Sequence, residues 1–136
     1  MMNLYEAIGC RHSVRKYTDR EVTEKLRGQI LSYFDKTSRL NDRIRVEAVI
    51  FDNTKKKADV HGLWKVDAPY YLAIYSDQEE GCERNAGYLM EQMVLYMTAK
   101  GLGTCYLGSV QPAQQAAADL VAFGLDLKCS LQCFVL

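Results

Sequence analysis

The sequence ERNAGYLMEQMVLYMTAKGLGTCYLG, residues 83–108, decides the fold. Ten of the fifteen positions from 86 to 100 are apolar, and they occupy most of the circumference of a helix. A helix of that kind lies inside a domain or in a subunit interface. Gly101 predicts the end of the helix. Residues 103–108 then predict a tight turn followed by a short strand.

Strands are predicted on both sides of this stretch. Residues 70–75 are apolar on both faces and follow Pro69, a pattern typical of a central strand. Residues 45–52 and 128–136 carry a two-residue alternation, which favours strands there as well. The last strand ends the chain in apolar residues, so we expect either missing residues beyond Leu136 or a partner that covers the strand's edge.

Three more helices are predicted from apolar periodicity and from residues that begin helices. They cover residues 3–9 with Asn3 as N-cap, residues from the N-cap Thr23 to about 36, and residues from Pro112 in the first turn to about 123. The polar connection over residues 52–67 contains His61 and is long enough to be functional.

The composition predicts one domain with a core of its own. The 136 residues are 49% hydrophobic, include 2 Pro, and carry 17 basic and 17 acidic side chains. This balance argues against a dedicated nucleic-acid binder or a polybasic membrane binder. The charge is divided unevenly, however, with a net charge of +4 on residues 1–68 and of −4 on residues 69–136. The basic half is therefore suited to holding an anion.

A soluble, cytoplasmic protein is expected. The first 25 residues contain charges throughout and no continuous apolar stretch, which argues against a signal peptide. The most apolar segment, residues 86–99, is too short to span a bilayer and contains Glu91. The five cysteines form no C-x-x-C pair, so neither a disulfide framework nor a zinc site is predicted.

Residues 11–16, with the sequence RHSVRK, are the first candidate for a binding site. Three cations, a histidine and a hydroxyl offer charge-assisted hydrogen bonds to a phosphate or another planar anion. In an extended chain Arg11, Ser13 and Arg15 project to one side. A solvated basic loop is the other interpretation, and the residues alone leave both open.

The glycines after the long helix do not form a dinucleotide-binding loop. Gly101, Gly103 and Gly108 follow a helix instead of a strand and lack the G-x-G-x-x-G spacing. Gly103 and Gly108 either let the backbone pass close to something flat or belong to a purely structural turn.

Cysteine and histidine chemistry is not favoured either. Cys129 and Cys133 would lie about 13 Å apart on one face of a strand, which is too far for a disulfide. His12 and His61 are the only histidines and lie on different segments, so no metal site is predicted.

Taken together, these segments resemble the nitroreductase-like family of FMN-dependent oxidoreductases. The similarity covers nearly the whole chain in the family's order. It rests on LYEAI at 4–8 leading into the R-x-S-x-R signature at 11–15, on APYYLAI at 68–74, on NAGYLMEQ at 85–92, and on GLGTCYLG at 101–108.

The resemblance implies FMN as cofactor and assigns roles to individual residues. Arg11 and Ser13 would bind the FMN phosphate, and His12 would lie along the ribityl chain. Arg15 would approach the pyrimidine side of the ring, where a cation stabilises the negative charge of reduced flavin. The backbone would contact the isoalloxazine at Tyr106, Leu107 and Gly108.

The resemblance also implies an α+β fold, with a mainly antiparallel sheet flanked by helices, and a homodimer with FMN and the central helix at the subunit interface. NAD(P)H would pass a hydride to FMN, and the reduced flavin would then reduce a small electrophile such as a nitroaromatic or a quinone. Because the flavin carries the chemistry, no catalytic side chain is expected.

The C-terminus departs from the family pattern. Family members usually continue through a G-x-P segment to a basic residue that contacts the phosphate, so residues 1–136 are expected to form a single nitroreductase-like domain without that tail. A flavin-binding or interaction protein without turnover is therefore an alternative. A small anion-binding or nucleic-acid-binding domain is less favoured, because the total charge is neutral and no aromatics are interleaved with the basic segment.

Overall fold

The computed structural model describes residues 2–18, 20–54, 60–61, 68–107, 111–112 and 129–135. Within them the chain forms three helices and six strands. The helices are α1 (Leu4–Cys10), α2 (Glu24–Asp35) and α3 (Cys82–Ala99). The strands are β1 (Val46–Asp52), β2 (Val60–His61), β3 (Tyr70–Ser76), β4 (Thr104–Leu107), β5 (Gln111–Pro112) and β6 (Cys129–Val135).

The main sheet has the order β1-β3-β6-β4, and every pair in it is antiparallel. The α+β class with a mainly antiparallel sheet is thus confirmed. Strand β3 is buried along its whole length between β1 and β6, as its two apolar faces predict. Strand β6 has β3 on one side and β4 on the other, so the expectation that a partner covers its edge is wrong.

Helices α2 and α3 share one hydrophobic core with one face of the sheet. Leu72 and Ile74 of β3 pack there against α3, whose inward side chains are fully buried within the chain. Most apolar side chains of α3 are therefore buried inside the domain, which is the first of the two locations that its sequence predicts. The buried residues of α3 in this core are Cys82, Leu89, Met90, Met93, Val94 and Met97.

The opposite face of the sheet carries Ala73 and Tyr75, which pack with Val49 and Phe51. The Tyr75 hydroxyl is buried and has no hydrogen-bond partner within the described part of the chain. Burial raises the pKa of Tyr75 to about 12, because the phenolate would lose its hydration.

Hydrogen bonds fix the chain at both ends of α3. Asn85 in its first turns is buried, and its Oδ1 accepts hydrogen bonds from the backbone N–H groups of Leu40 and Asn41, which ties the preceding loop to the helix. At the other end Gly101 has a φ of 83°, and the backbone N–H of Leu102 donates to the Met97 carbonyl at 3.0 Å. This Schellman arrangement ends the helix and directs the chain into β4.

Two predictions need comment. Pro112 lies in the short strand β5, paired with Val60, and so does not begin a helix. Proline is tolerated there because a two-residue edge pairing does not need its missing N–H. The rest of the predicted helix, residues 113–123, lies outside the described residues. No helix in the described ranges is long and apolar enough to cross a membrane.

Candidate functional site

The basic segment over residues 11–16 directly follows α1, and hydrogen bonds fix both ends of that helix. Helix α1 begins with a capping box, in which Asn3 Oδ1 accepts the Glu6 N–H at 2.8 Å and Glu6 Oε2 accepts the Asn3 N–H at 3.0 Å. The helix ends at Arg11, whose N–H donates to the Ala7 carbonyl at 2.9 Å while its backbone turns extended. We call residues 11–16 the basic arm.

The basic arm docks on the free edge of β4. The Val14 N–H donates to the Thr104 carbonyl at 2.8 Å, and Ser13 forms a parallel bridge with Thr104. The middle of the arm therefore adds to the sheet edge, so the segment is anchored at Ser13 and Val14 and is not a free loop there. Alternation along an extended chain places Arg11, Ser13 and Arg15 on the side opposite Val14.

Two polar atoms at this dock are buried without a hydrogen-bond partner in the described part of the chain. They are Nη1 of Arg11 and Oγ1 of Thr104. Buried polar groups are nearly always hydrogen-bonded, and an unsatisfied guanidinium nitrogen is particularly costly. Each of these two atoms could donate a hydrogen bond to a ligand that brings acceptor oxygens, and an FMN phosphate fits that description.

Three other side chains of the arm are exposed to solvent. Arg15 and Lys16 are exposed, and neither forms an ion pair with any described residue. His12 is also exposed, and its Nδ1 lies 3.1 Å from the Cys10 carbonyl oxygen. Since a carbonyl can only accept, Nδ1 carries the proton and Nε2 of a neutral ring is left to accept. The arm is thus a region of uncompensated positive charge.

Two of the three residues predicted to contact the flavin ring lie in β4, the strand on which the arm docks. Tyr106 belongs to β4, and its hydroxyl donates to Glu91 Oε2 at 2.6 Å, which ties β4 to α3. Leu107 is the last residue of β4. Gly108 lies outside the described residues, as do residues 55–59 and 62–67 of the long connection. The structure therefore brings the arm and Thr104–Leu107 together. The contacts of Tyr106, Leu107 and Gly108 with the flavin ring stay predictions.

Sequence reasoning missed the residues on which the arm rests. The sequence assigns no role to Val14, and for Gly103 it leaves open a close approach to something flat or a purely structural turn. In the structure Gly103 lies directly against Val14. One signal was available, because Gly101 already ends α3 and a second glycine two positions later is not needed for that purpose.

No three metal-ligating side chains come together in the parts of the chain described above. The candidate site is an edge of the sheet that offers backbone, guanidinium and hydroxyl groups, which are groups suited to an anion.

Solved structures share this architecture. A nitroreductase family protein from Clostridium novyi NT matches with a TM-score of 0.76 and 16% identity, over 98% of this chain and 84% of its own. A nitroreductase with bound FMN from Bacteroides fragilis NCTC 9343 matches with a TM-score of 0.65 and 16% identity, over 99% and 88%. A nitroreductase with bound FMN from Desulfitobacterium hafniense DCB-2 gives 0.67 and 14%, over 99% and 89%. Identities this low show the fold alone.

The sequence itself identifies the family. No curated protein sequence matches the chain. A family model described as "Putative TM nitroreductase" matches residues 3–125, which include the basic arm, α3 and β4. The sequence motifs, the fold and this match agree, and the chain belongs to the nitroreductase family.

Proposed function

We propose that the protein is an FMN-dependent oxidoreductase that passes reducing equivalents from NAD(P)H through FMN to an electrophilic small molecule of the nitroaromatic or quinone type. Family membership supports this proposal, as do the two related folds crystallised with FMN. The observation that carries it is the buried Nη1 of Arg11, which has no hydrogen-bond partner among the described residues.

The basic arm would hold the phosphate end of FMN. Arg11 offers the unsatisfied Nη1, and Ser13 offers a hydroxyl on the same side of the extended segment. Hydrogen bonds from a guanidinium to a phosphate are charge-assisted and about twice as strong as neutral ones. Because α1 fixes the arm at Arg11 and β4 fixes it at Ser13 and Val14, little backbone freedom is lost over these residues when the ligand binds.

The remaining residues of the arm would orient the cofactor and tune it. Arg15 forms no ion pair with the described residues, and alternation places it on the same side as Arg11, where its charge would favour any negative charge that develops on the ring. His12 would present its Nε2 to the ribityl hydroxyls, since Nδ1 faces the Cys10 carbonyl. FMN supplies the hydride-transfer chemistry when bound, so the protein needs no acid or base of its own.

We also propose that the protein works as a homodimer. Helix α1 exposes Leu4, Tyr5 and Ile8, at 40%, 84% and 62% of their surface. Exposed apolar side chains on one short helix are typical of an interaction surface. Since most apolar side chains of α3 are buried inside the domain, α1 would supply much of the apolar contact between the subunits. Ile8→Glu should convert a dimer into a monomer in analytical ultracentrifugation, whereas Glu6→Gln, also exposed on α1, should not.

A cytoplasmic location is proposed on the cysteines. Cys10 is exposed and Cys105 is buried, and the structure records both as thiols. An exposed thiol beside a binding site suits a reducing compartment.

The flavin spectrum of the purified protein tests the function. We expect a visible flavin band after loading with FMN, and bleaching of that band when NADH or NADPH is added without oxygen. A band that no nicotinamide bleaches would favour the alternative of a flavin-binding protein without turnover. A protein that stays colourless with excess FMN would refute the proposal.

A further inference from the structure

Gly103 and Val14 lie unusually close to each other. A Cβ atom built on Gly103 would lie 3.0 Å from Cβ, Cγ1 and Cγ2 of Val14, whereas ordinary van der Waals contacts are 3.4–4 Å. The backbone of Gly103 is not in the left-handed region. Glycine at this position is therefore explained by the space that Val14 occupies and not by the conformation of the turn.

Gly103 differs in this respect from the other glycines that the structure describes. At each of them a Cβ would meet nothing within 4 Å. Two of them have a positive φ, and the other three lie in helices with open space around them. They are Gly81 and Gly101 in the first group and Gly9, Gly28 and Gly87 in the second.

Val14 cannot yield by a side-chain rotation. Its own Cβ is one of the three atoms at 3.0 Å, and its β-branched side chain has few allowed rotamers. The Val14 N–H is moreover held by the Thr104 carbonyl at 2.8 Å, one residue beyond Gly103. A side chain on residue 103 would therefore be relieved only by lifting the basic arm away from β4.

We propose that Gly103 is a positioning residue. Because it has no side chain, Val14 can pack against it, and this contact sets the distance between the basic arm and β4. This inference rests on the proposed function, because the distance between the arm and β4 would determine where Arg11 and Ser13 contact the cofactor. In this proposal Gly103 acts only through the position of the arm and not by a contact with the cofactor. Small misplacements of binding groups weaken charge-assisted hydrogen bonds, since their strength depends on distance and angle.

A double-mutant cycle tests the contact without any flavin. Hydrogen exchange of the residue 14 amide in the flavin-free protein is compared for Gly103→Ala in the wild-type and in the Val14→Gly background. We expect protection to fall about tenfold or more in the wild-type background, as overpacking of a tight contact does. In the Val14→Gly background the same change should have little effect, because all three close atoms are gone.

FMN titration of the same four proteins links the contact to the site. Gly103→Ala should raise the dissociation constant of FMN about tenfold or more in the wild-type background. It should have little effect in the Val14→Gly background. Gly28→Ala is the matched control, since its Cβ enters open space in α2, and it should leave FMN affinity unchanged.

The two measurements separate the inference from the proposed function. Equal effects of Gly103→Ala on exchange in both backgrounds would overturn the inference, since the alanine would then act on the turn itself. Coupled exchange with unchanged FMN affinity would overturn the role in positioning the binding groups. If no variant and not even the wild-type protein bound FMN, the proposed function would fail, while coupled exchange would still support the docking contact.

Discussion

Replacing Arg11 by methionine should change flavin affinity and the stability of the flavin-free protein in opposite directions. Methionine keeps an unbranched apolar chain of similar length but removes the guanidinium. The Nη1 atom of Arg11 is buried without a hydrogen-bond partner among the described residues. That atom lowers the stability of the flavin-free protein and would strengthen the binding of a phosphate. Its removal should therefore raise the stability and lower the affinity for FMN.

The two magnitudes follow from the same atom. An unsatisfied buried donor costs about 1–3 kcal/mol. Arg11 as a whole is only partly buried, so we take the lower end and expect a gain of about 1 kcal/mol, or about 3 °C in Tm. A hydrogen bond to a charged group contributes about 1.5–3 kcal/mol, so the dissociation constant of FMN should rise about 10-fold to 150-fold.

Thermal unfolding of flavin-free protein and fluorescence titration with FMN measure the two effects. Arg84→Met is the matched control, because Arg84 is exposed on α3 and methionine has a similar helix propensity. It should change neither quantity. A lower Tm for Arg11→Met together with unchanged FMN affinity would show that the guanidinium is a structural group, and the reasoning about the site would be refuted.

Two further predictions concern stability alone. Asn85→Ala removes the acceptor for the backbone N–H groups of Leu40 and Asn41, so urea unfolding should show a loss of about 2 kcal/mol; an unchanged midpoint would contradict the role of this loop anchor. The pKa of Tyr75 is raised from 10.0 to about 12, so Tyr75 loses its proton first in the unfolded chain, and the stability of the fold should fall between these pH values by up to about 3 kcal/mol. Tyr75→Phe should flatten that decline, and an equally steep loss in the variant would assign it to other groups.

The elements that obey local rules were predictable from the sequence. Thr23 caps α2 as expected, with its hydroxyl oxygen accepting the Leu26 N–H. The apolar run of β3 correctly predicted a central strand, because only a strand covered on both faces can be apolar throughout. In both cases the decisive interactions lie within a few residues or follow directly from burial.

The pairing of the strands was beyond the sequence. Strand β6 inserts between β3 and β4, and nothing in its alternation distinguishes an interior strand from an edge strand. Pro112 misled for a related reason, since its preference for a helix start was overridden by pairing with Val60, far away in sequence. Non-local contacts of this kind leave little trace in a short window of residues.

The candidate site divides in the same way. The chemistry of Arg11, Ser13 and Arg15 could be read from residue types, because few other combinations suit a phosphate. Their support could not, since the contact of Val14 with Gly103 joins two segments about ninety positions apart in the chain. The sequence thus predicted the binding groups, a role that stays a prediction, and the structure supplied the contact that supports them.

The strand order has a consequence for how the protein is made. Strand β4 joins the main sheet only through β6, which is also the last described strand to leave the ribosome. Until β6 is synthesised, β4 lacks its sheet partner, although α1 and the basic arm emerged first. Synthesis proceeds at about 5–20 residues per second, so the arm waits several seconds for its dock. The basic arm is therefore made early but reaches its final place in the sheet only after β6 has been made.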